Sequence, residues 1–218
     1  MQKLQLLSVN VGRPRPIGSM RGETVLSAIA KEALAVPSVM VRRTNIDGDG
    51  QADLSVHGGP DKAVYAYPSD HWSWWERDHG LACRPATFGE NLTLHGADES
   101  QVAIGDRFRW GEALLEVSQP RAPCFKFAIH TAREDAPLLM TKSARCGWYL
   151  RVVEEGVAPV ADSSLELISK SDGPSVRDAF IAAMHPGTKS LRLRVHDAPA
   201  LAEPWRVAVA RRLVRDRD

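Results

Sequence analysis

The sequence has few cysteines and no long apolar run. Its 218 residues include three cysteines, Cys83, Cys124 and Cys146, an odd number that argues against a disulfide scaffold. No apolar stretch approaches the roughly 20 residues that are needed to span a bilayer. The first ten residues lack the longer apolar segment and the cleavage site of a signal peptide. We therefore expect a cytoplasmic chain with reduced thiols and no membrane partner.

Charge of either sign is not in excess. Lys and Arg number 28, and Asp and Glu number 27, which gives a formal net charge of +1. A basic surface over the whole chain is therefore not expected, nor is nucleic acid as a partner, although a local basic pocket fits this balance. The hydrophobic share of 44% and the charged share of 25% are typical of a globular protein rather than a disordered or fibrous one.

The first two-thirds of the sequence are predicted to form short strands separated by Gly, Pro and Asp turns. Because these strands do not alternate regularly with helices, they favour a mainly β barrel or sandwich with peripheral helices over a doubly wound sheet. Loops are expected over Gly12–Gly22 and Asn45–Asp61. Helices are expected over Glu134–Ser143 and over Ser69–Gly80, whose first residue is predicted to cap the N-terminus. The predicted strands are Leu4–Val9, Val39–Arg43, Ala63–Tyr67, Ala113–Ser118 and Cys146–Val153.

A change of composition after residue 153 predicts the domain organisation. The segment 154–164 has few large apolar residues and contains both Gly and Pro. We interpret it as a linker, since such composition is typical of connections between packed regions. It would join a main domain, residues 1–153, to a C-terminal segment, residues 165–218.

The C-terminal segment is predicted to contain helices at Ser175–Met184 and Leu201–Leu213, each with apolar residues along one face. Between them, Leu191–Val195 alternates apolar and basic residues, a pattern that by itself favours a strand. The segment is too short to bury a large core alone. We therefore expect it to pack on the main domain or on another subunit, and the sequence leaves the oligomeric state, a dimer included, open.

The run Gln119–Lys126 places a cysteine between two cations on a stiff backbone. Its two prolines cannot donate backbone hydrogen bonds, so they end the preceding strand and hold Cys124 at the mouth of a pocket. Arg121 and Lys126 flank this cysteine, and nearby cations favour the thiolate, which is both a nucleophile and a soft metal ligand. The alternative is a small buried apolar thiol, which is the commoner role of a free cysteine.

A glycine-rich segment precedes the strand predicted at Ala63–Tyr67. Gly58 and Gly59 allow backbone N–H groups to converge on an anion or on another closely bound ligand. His57 and Lys62 are able to add directed hydrogen-bond donors. The alternative is a long glycine-rich turn that binds nothing.

Asn91 lies in the motif Phe88-Gly89-Glu90-Asn91-Leu92, where a loop is predicted to enter a strand. Its amide is suited either to orienting an amide or hydroxyl group of a substrate or to closing a turn. The sequence lacks the P-loop, the glycine-rich dinucleotide motif and the nucleophile elbow, which argues against the enzyme classes that depend on them.

Taken in order along the chain, these motifs resemble the MOSC domain family, which is related to the C-terminal part of molybdenum cofactor sulfurases, and within it the YiiM-like branch. The resemblance extends over about Gln2–Val153. The C-terminal segment resembles the three-helix segment that follows the domain in that branch, which makes Leu191–Val195 helical rather than extended. The residues that carry the resemblance are Gly48–Tyr67, Phe88–Leu92, Val102-x-Ile104-Gly105-Asp106 and Gln119–Lys126.

The resemblance implies a β-barrel-like fold with a basic pocket for the molybdenum cofactor, a molybdopterin. Cys124 matches the hallmark cysteine of the family, whose sulfur binds molybdenum or carries a persulfide. Relatives with bound metal reduce N-hydroxylated small molecules such as hydroxylamino-purines, so a detoxifying reductase is implied, with electrons from separate donor proteins. Two alternatives stay open: a carrier of sulfur or of the cofactor without turnover of its own, and an interaction module with a vestigial pocket.

The resemblance implies that Cys124 is the metal ligand and a catalytic residue of that pocket. Residue chemistry suggests further candidate roles. His57 would deliver a proton, because its unperturbed pKa lies near neutral, and Asn91 would position the substrate. The candidates for holding the cofactor phosphate are cations or backbone donors: Lys62, Arg121, Lys126 and the N–H groups of Gly58 and Gly59.

Overall fold

The computed structural model describes residues 3–51 and 58–215. Within these ranges the chain forms thirteen strands and six helices. The strands are β1 Lys3–Val11, β2 Arg15–Met20, β3 Glu23–Ser27, β4 Glu32–Ala33, β5 Ser38–Arg42, β6 Asn45–Ile46, β7 Val64–Pro68, β8 Leu92–His95, β9 Arg107–Trp110, β10 Ala113–Pro120, β11 Trp148–Glu154, β12 Gly156–Pro159 and β13 Ser163–Ser169. The helices are α1 Trp72–His79, α2 Phe125–Thr131, α3 Ala136–Ser143, α4 Val176–Met184, α5 Lys189–His196 and α6 Glu203–Arg215.

Seven of these strands close into a barrel. Their order around the barrel is β1, β8, β7, β11, β10, β9 and β13, and the antiparallel pairing of β13 with β1 completes the ring. Successive side chains of a strand point to opposite faces, so each strand can contribute alternate apolar residues to one core. Leu4, Leu115, Leu150 and Leu165 belong to this core, and each is fully buried. The prediction of a mainly β, barrel-like fold is confirmed.

The neighbouring strands β7 and β8 run parallel. A parallel pair needs a crossover connection of a dozen or more residues, and α1 with its flanking segments provides it. The helix predicted over Ser69–Gly80 starts with a short 3-10 turn at Ser69–His71, so Ser69 lies before α1 rather than capping it. The helix ends at Gly80, whose positive φ of 64° is the left-handed conformation that closes many helices.

The segment 154–164, which we predicted to be a linker, instead contributes to the sheets. β12 pairs antiparallel with β5, and β13 pairs with β1 and β9. The prediction is wrong because β12 is an edge strand, where a glycine and a terminal proline are tolerated. Its small apolar residue Ala158 is fully buried, as is Leu165 of β13. The first C-terminal helix therefore begins only at Val176.

The loop predicted over Gly12–Gly22 contains β2, which pairs with β3 in a hairpin. Most residues of the hairpin are exposed on both faces. The alternation of apolar and polar residues that marks a half-buried strand is therefore missing from its sequence. Helix α2 has no counterpart among the predicted helices either, because it is only seven residues long and follows two prolines.

The three C-terminal helices pack on the barrel beside β10. Backbone hydrogen bonds join the two parts, from Val176 N to Val102 O at 2.8 Å and from Ala202 N to Ser118 O at 3.0 Å. All eight residues of β10 are buried, which is consistent with helices packed over this strand. Among the described helices, none has the length and apolar character needed to cross a membrane.

Helix α5 contains Leu191–Val195, so the helix implied by the resemblance is confirmed and the strand favoured by the alternation is wrong. The Thr188 side chain caps this helix by accepting a hydrogen bond from Leu191 N–H at 3.2 Å. The alternation misleads because Arg192 is buried, with its Nε donating to the Ala182 carbonyl at 3.3 Å.

Candidate functional site

A cleft opens beside the end of β10. It holds about 680 Å³ when its open mouth is included. Its walls come from the turn after β3, residues 49–51, the Phe88–Leu92 motif, the Gln119–Lys126 run, and strands β7 and β11. Its charged and hydrogen-bonding lining includes Lys31, Asp49, Lys62, Tyr65, Asn91, Arg121, Cys124, Lys126 and Tyr149.

The Gln119–Lys126 run lies where β10 leaves the sheet. β10 ends at Pro120, and Arg121 N–H then donates to the Gly147 carbonyl at 3.4 Å. Cys124 follows in an extended conformation immediately before α2. It is half-buried and lines the cleft. The thiol therefore lies just beyond a strand end and beside a pocket, where the two prolines lead us to expect it.

The other two cysteines have different surroundings. Cys146 is fully buried, and burial raises the pKa of its thiol well above the ordinary value. Burial also raises the pKa of the Cys83 thiol, to about 12. Both side chains therefore remain neutral thiols near pH 7, and neither lines the cleft that contains Cys124.

Arg121 is a deeply buried cation of the cleft, with 5% of its surface exposed. Its guanidinium lies 5.3 and 5.0 Å from the ring centroids of Tyr65 and Phe127, and Nη1 is 3.1 Å from Met140 Sδ. Burial acts to lower its pKa, but the acidic groups around it, Tyr65 and Cys124 first, outweigh this effect and raise the pKa. Within the described chain no carboxylate forms an ion pair with this guanidinium. A buried charge of this kind is costly without a counter-charge, so the cleft favours an anionic ligand.

The remaining residues predicted to hold an anion are only partly brought together. Lys62 and Lys126 line the cleft, and burial lowers the pKa of Lys62. Gly58 and Gly59 precede a short 3-10 turn and are not among the lining residues of the cleft. Their contact with a cofactor phosphate stays a prediction. His57 lies outside the described residues.

The Asn91 side chain is hydrogen-bonded within the chain at both ends of its amide. Its Oδ1 accepts from Tyr65 N–H at 3.0 Å, and its Nδ2 donates to Asn10 O at 3.1 Å and to Asp49 Oδ2 at 2.9 Å. The amide therefore ties β7 to β1 and to Asp49. A substrate group can reach it only through the second lone pair of Oδ1 or by displacing one of these bonds. Its contact with a substrate stays a prediction.

Lys31 and Asp49 form a buried ion pair in the wall of the cleft, with 8% and 3% of their side chains exposed. Asp49 also accepts hydrogen bonds from Gly12 N–H at 2.8 Å and from Asn91 Nδ2. Burial lowers the pKa of Lys31, and Asp49 counteracts this effect. The sequence does not reveal the pair because its members are 18 positions apart and neither belongs to a recognisable local pattern.

Two tyrosines add aromatic surface to the cleft. The ring centroids of Tyr65 and Tyr149 are 5.1 Å apart, and Tyr65 Oη donates to the Cys146 carbonyl at 2.8 Å. Burial raises the pKa of both phenols, and Arg121 opposes this effect. Both side chains therefore stay neutral. The sequence places Tyr65 in a strand but gives no indication that its side chain lines a site.

Gly89 allows two walls of the cleft to approach each other. Its φ of 78° lies in the left-handed region that favours glycine. A Cβ atom at this position would lie 2.5 Å from Ile29 Cγ1, and both residues line the cleft. Any side chain here would therefore strain the backbone and displace the wall that contains Ile29.

The buried carboxyl of Glu90 should make the stability of the protein depend on pH. It is fully buried and accepts hydrogen bonds of 2.8 to 3.0 Å from Ala86 N–H, Phe88 N–H and the Thr93 hydroxyl. Burial raises its pKa from 4.5 to about 7, although these donors act in the opposite direction. The pKa of Glu90 is higher in the folded state than in the unfolded state, so protonation of this carboxyl stabilises the fold. This contribution is fully present below pH 4.5 and is lost as the pH rises through 7. We expect the free energy of unfolding to fall by about 3 kcal/mol over this window.

Urea unfolding between pH 4.5 and 8 measures this effect. The variant Glu90→Gln should show a much flatter pH dependence, since it removes the titrating group. The variant Glu32→Gln is a matched control, because Glu32 is exposed, and it should keep the dependence of the wild type. A Glu90→Gln protein whose stability still falls as steeply as that of the wild type would contradict the assignment.

Comparison with protein-family models shows which family the barrel belongs to. The MOSC domain family model matches residues 53–164, slightly more than half of the chain. The chain belongs to the MOSC domain family. The matched range of this MOSC domain contains the Phe88–Leu92 motif, all of β10 and Cys124, and thus much of the cleft wall.

Curated MOSC relatives extend the match over most of the chain. The protein is 40% identical over 210 residues to YflK from Bacillus subtilis strain 168, covering 95% of this chain and 93% of YflK. It is 40% identical over 184 residues to YiiM from Escherichia coli K12, covering 82% and 81%. A Gibberella moniliformis strain M3125 protein named Reductase is 36% identical over 155 residues, which is 69% of this chain and 27% of that longer protein.

A solved structure covers the barrel and the C-terminal helices together. The crystal structure of YiiM from Geobacillus stearothermophilus superposes with a TM-score of 0.80 at 32% identity, covering 96% of this chain and 99% of that one. The chain is thus a MOSC protein of the YiiM-like branch.

Proposed function

We propose that this MOSC protein binds a molybdenum–pterin cofactor in the cleft and reduces N-hydroxylated small molecules, such as hydroxylamino-purines, to amines. The observation that carries the proposal is Arg121, a guanidinium buried in the cleft without a carboxylate partner among the described residues. Burying such a charge costs several kcal/mol unless a counter-charge is present. An anionic cofactor supplies that counter-charge. Membership of the MOSC family and the relative named Reductase support the same assignment.

The residues of the cleft fit such a cofactor. Arg121, Lys62 and Lys126 all line it and would hold the phosphate group. The sulfur of Cys124 would be a metal ligand, because a thiolate suits a metal that is already bound by the sulfurs of a pterin. When bound, the cofactor supplies redox chemistry that no side chain of the chain offers.

The proposed reaction consumes two electrons and two protons for each N–O bond that is broken. One proton joins the leaving oxygen to form water, and the other joins the nitrogen to form the amine. The electrons would come from separate donor proteins. The contribution of this chain is to hold the cofactor, to bring the N-hydroxyl group into the cleft beside Cys124, and to provide protons there.

Turnover tests the proposal. Protein made in a host that synthesises the cofactor would be mixed with a reduced viologen dye as electron donor and with a hydroxylamino-purine. We expect the corresponding aminopurine to accumulate, measured by chromatography, and protein from a host unable to make the cofactor to produce none. Failure of fully loaded protein to form the amine would contradict the proposal. Sulfane sulfur on Cys124 in such a protein would instead indicate the sulfur carrier.

A further inference from the structure

We propose that Lys31 is the acid that protonates the oxygen leaving the substrate, with Asp49 holding its ammonium in place. This inference rests on the proposed function, since it concerns the same cleft and the same N–O bond. The observation behind it is the buried Lys31–Asp49 ion pair that lines the cleft together with Cys124.

The position of the Lys31 ammonium is fixed by a chain of hydrogen bonds. Its Nζ donates to Asp49 Oδ1. Asp49 in turn accepts from Gly12 N–H at 2.8 Å and from Asn91 Nδ2 at 2.9 Å. Asn91 is itself bonded to the backbone of Tyr65, in the barrel strand β7. The ammonium is therefore held relative to the barrel rather than moving freely on a flexible side chain.

Such a pair is not explained by stability alone. Removing two charges from water costs several kcal/mol per ion, and replacing a buried pair by apolar residues is often neutral or stabilising. Ionisable groups held in a cleft at this cost are candidates for chemistry. The Asp49 carboxylate is suited to holding the ammonium in place, because it is itself fixed by three hydrogen-bond donors. The Lys31 ammonium is the proton donor of the pair.

The other groups of the cleft are less suited to this step. Arg121 does not release a proton, because its pKa lies above the already high value of a guanidinium. The Tyr65 hydroxyl donates to the Cys146 carbonyl. Lys62 and Lys126 are both half-buried, whereas the Lys31 side chain is buried and fixed by Asp49.

The burial of Lys31 makes its ammonium a better proton donor than an exposed lysine. Burial lowers the pKa of the amine, and Asp49 and then Glu90 oppose this effect. Lys31 also borders a second cavity, through which water is able to return the proton. The remaining titratable groups that face the same cleft are Lys62, Tyr65, Arg121, Cys124, Lys126 and Tyr149.

The proposed step breaks the N–O bond of the substrate and uses two electrons, which the cofactor would supply when bound and which separate donor proteins would replace. The proton on Lys31 Nζ passes to the departing oxygen, which already carries one hydrogen, so that water leaves. The nitrogen takes the second proton from solvent and becomes the amine, and Lys31 is reprotonated by water.

The test compares wild type, Lys31→Met, Lys31→Arg and the exposed-lysine control Lys3→Met, all as cofactor-loaded protein. We expect Lys31→Met to lower kcat for a hydroxylamino-purine about 100-fold or more, with molybdenum and pterin content unchanged. Lys31→Arg should keep the charge yet stay slow, and Lys3→Met should match the wild type. An O-acylated hydroxylamine, whose carboxylate leaving group needs no acid, should restore the rate of Lys31→Met to near that of the wild type.

A Lys31→Met protein with the rate and pH profile of the wild type would overturn the proposal. Equal loss on both substrates would assign Lys31 a structural role, and loss of cofactor would assign it to cofactor binding, so each overturns the role as acid. Loaded wild type without turnover on either substrate would overturn the proposed function as well, which separates the two failures.

Discussion

Replacing Arg121 with methionine is expected to reduce retention of the pterin about 100-fold while the barrel stays folded. Truncating one partner of a buried charge pair costs 2 to 5 kcal/mol or more, and about 1.4 kcal/mol corresponds to a tenfold change in affinity. The loss should be large here because the guanidinium is almost completely buried and lines the cleft. Pterin released from the purified variant, measured by its fluorescence after oxidation, gives the retained fraction.

The same variant should be at least as stable as the wild type when neither carries the cofactor. Methionine would lie among Tyr65, Phe127 and Met140, which surround the guanidinium now. It is a flexible apolar side chain that fills such a space, and it removes a buried charge that has no carboxylate partner in the described chain. We expect the free energy of unfolding to be unchanged or to rise by about 1 kcal/mol or more.

Arg133→Met is the matched control, since the half-buried Arg133 pairs with the exposed Asp135 outside the cleft. It should change neither pterin content nor stability by a large amount. An Arg121→Met protein that keeps the pterin of the wild type would show that the buried guanidinium does not hold the cofactor. A collapse of the fold, instead of the loss of ligand, would make Arg121 a structural residue.

Replacing Cys124 with alanine is expected to lower turnover of N-hydroxylated substrate by about 1,000-fold or more, since residues that act as part of one reacting unit give losses of this size. The fold should survive. Cys124 is half-buried and lies just beyond the end of a strand, so its change should cost about 1 kcal/mol or less in the free energy of unfolding. Turnover and urea unfolding of the same preparation measure both effects.

Cys83→Ala supplies the comparison, because Cys83 is also half-buried but lies outside the cleft. It should keep the turnover of the wild type. Turnover that survives in Cys124→Ala would remove the sulfur from the mechanism, whereas equal loss in both variants would indicate a general effect of removing a thiol.

Local sequence patterns predict the parts of this protein that depend on local physics. Prolines on either side of Arg121 end β10 and thereby place Cys124 next to a pocket, as the sequence indicates. Most of the predicted barrel strands appear with shifted ends, and Gly80 ends its helix. The resemblance to a family was needed for α5, because burial of Arg192 hides the helical character of that segment.

Local sequence patterns do not predict features that depend on contacts between residues far apart in the sequence. The Lys31–Asp49 pair forms only because the turn after β3 and residues 49–51 meet at the cleft. The sequence suggests that Asn91 contacts a substrate, yet its amide already bonds to Asn10, Tyr65 and Asp49, and only the folded barrel brings these groups together. The linker prediction is wrong because glycine and proline, which are typical of linkers, are also tolerated in edge strands such as β12.

The molybdenum and pterin content of freshly purified wild-type protein tests the central claim most directly. The host should be one that loads another molybdenum enzyme fully under the same conditions, so that supply of the cofactor is not limiting. A cleft built around a buried guanidinium and a thiol predicts stoichiometric molybdenum together with a pterin. Protein that contains neither, although the reference enzyme is fully loaded, would contradict the account.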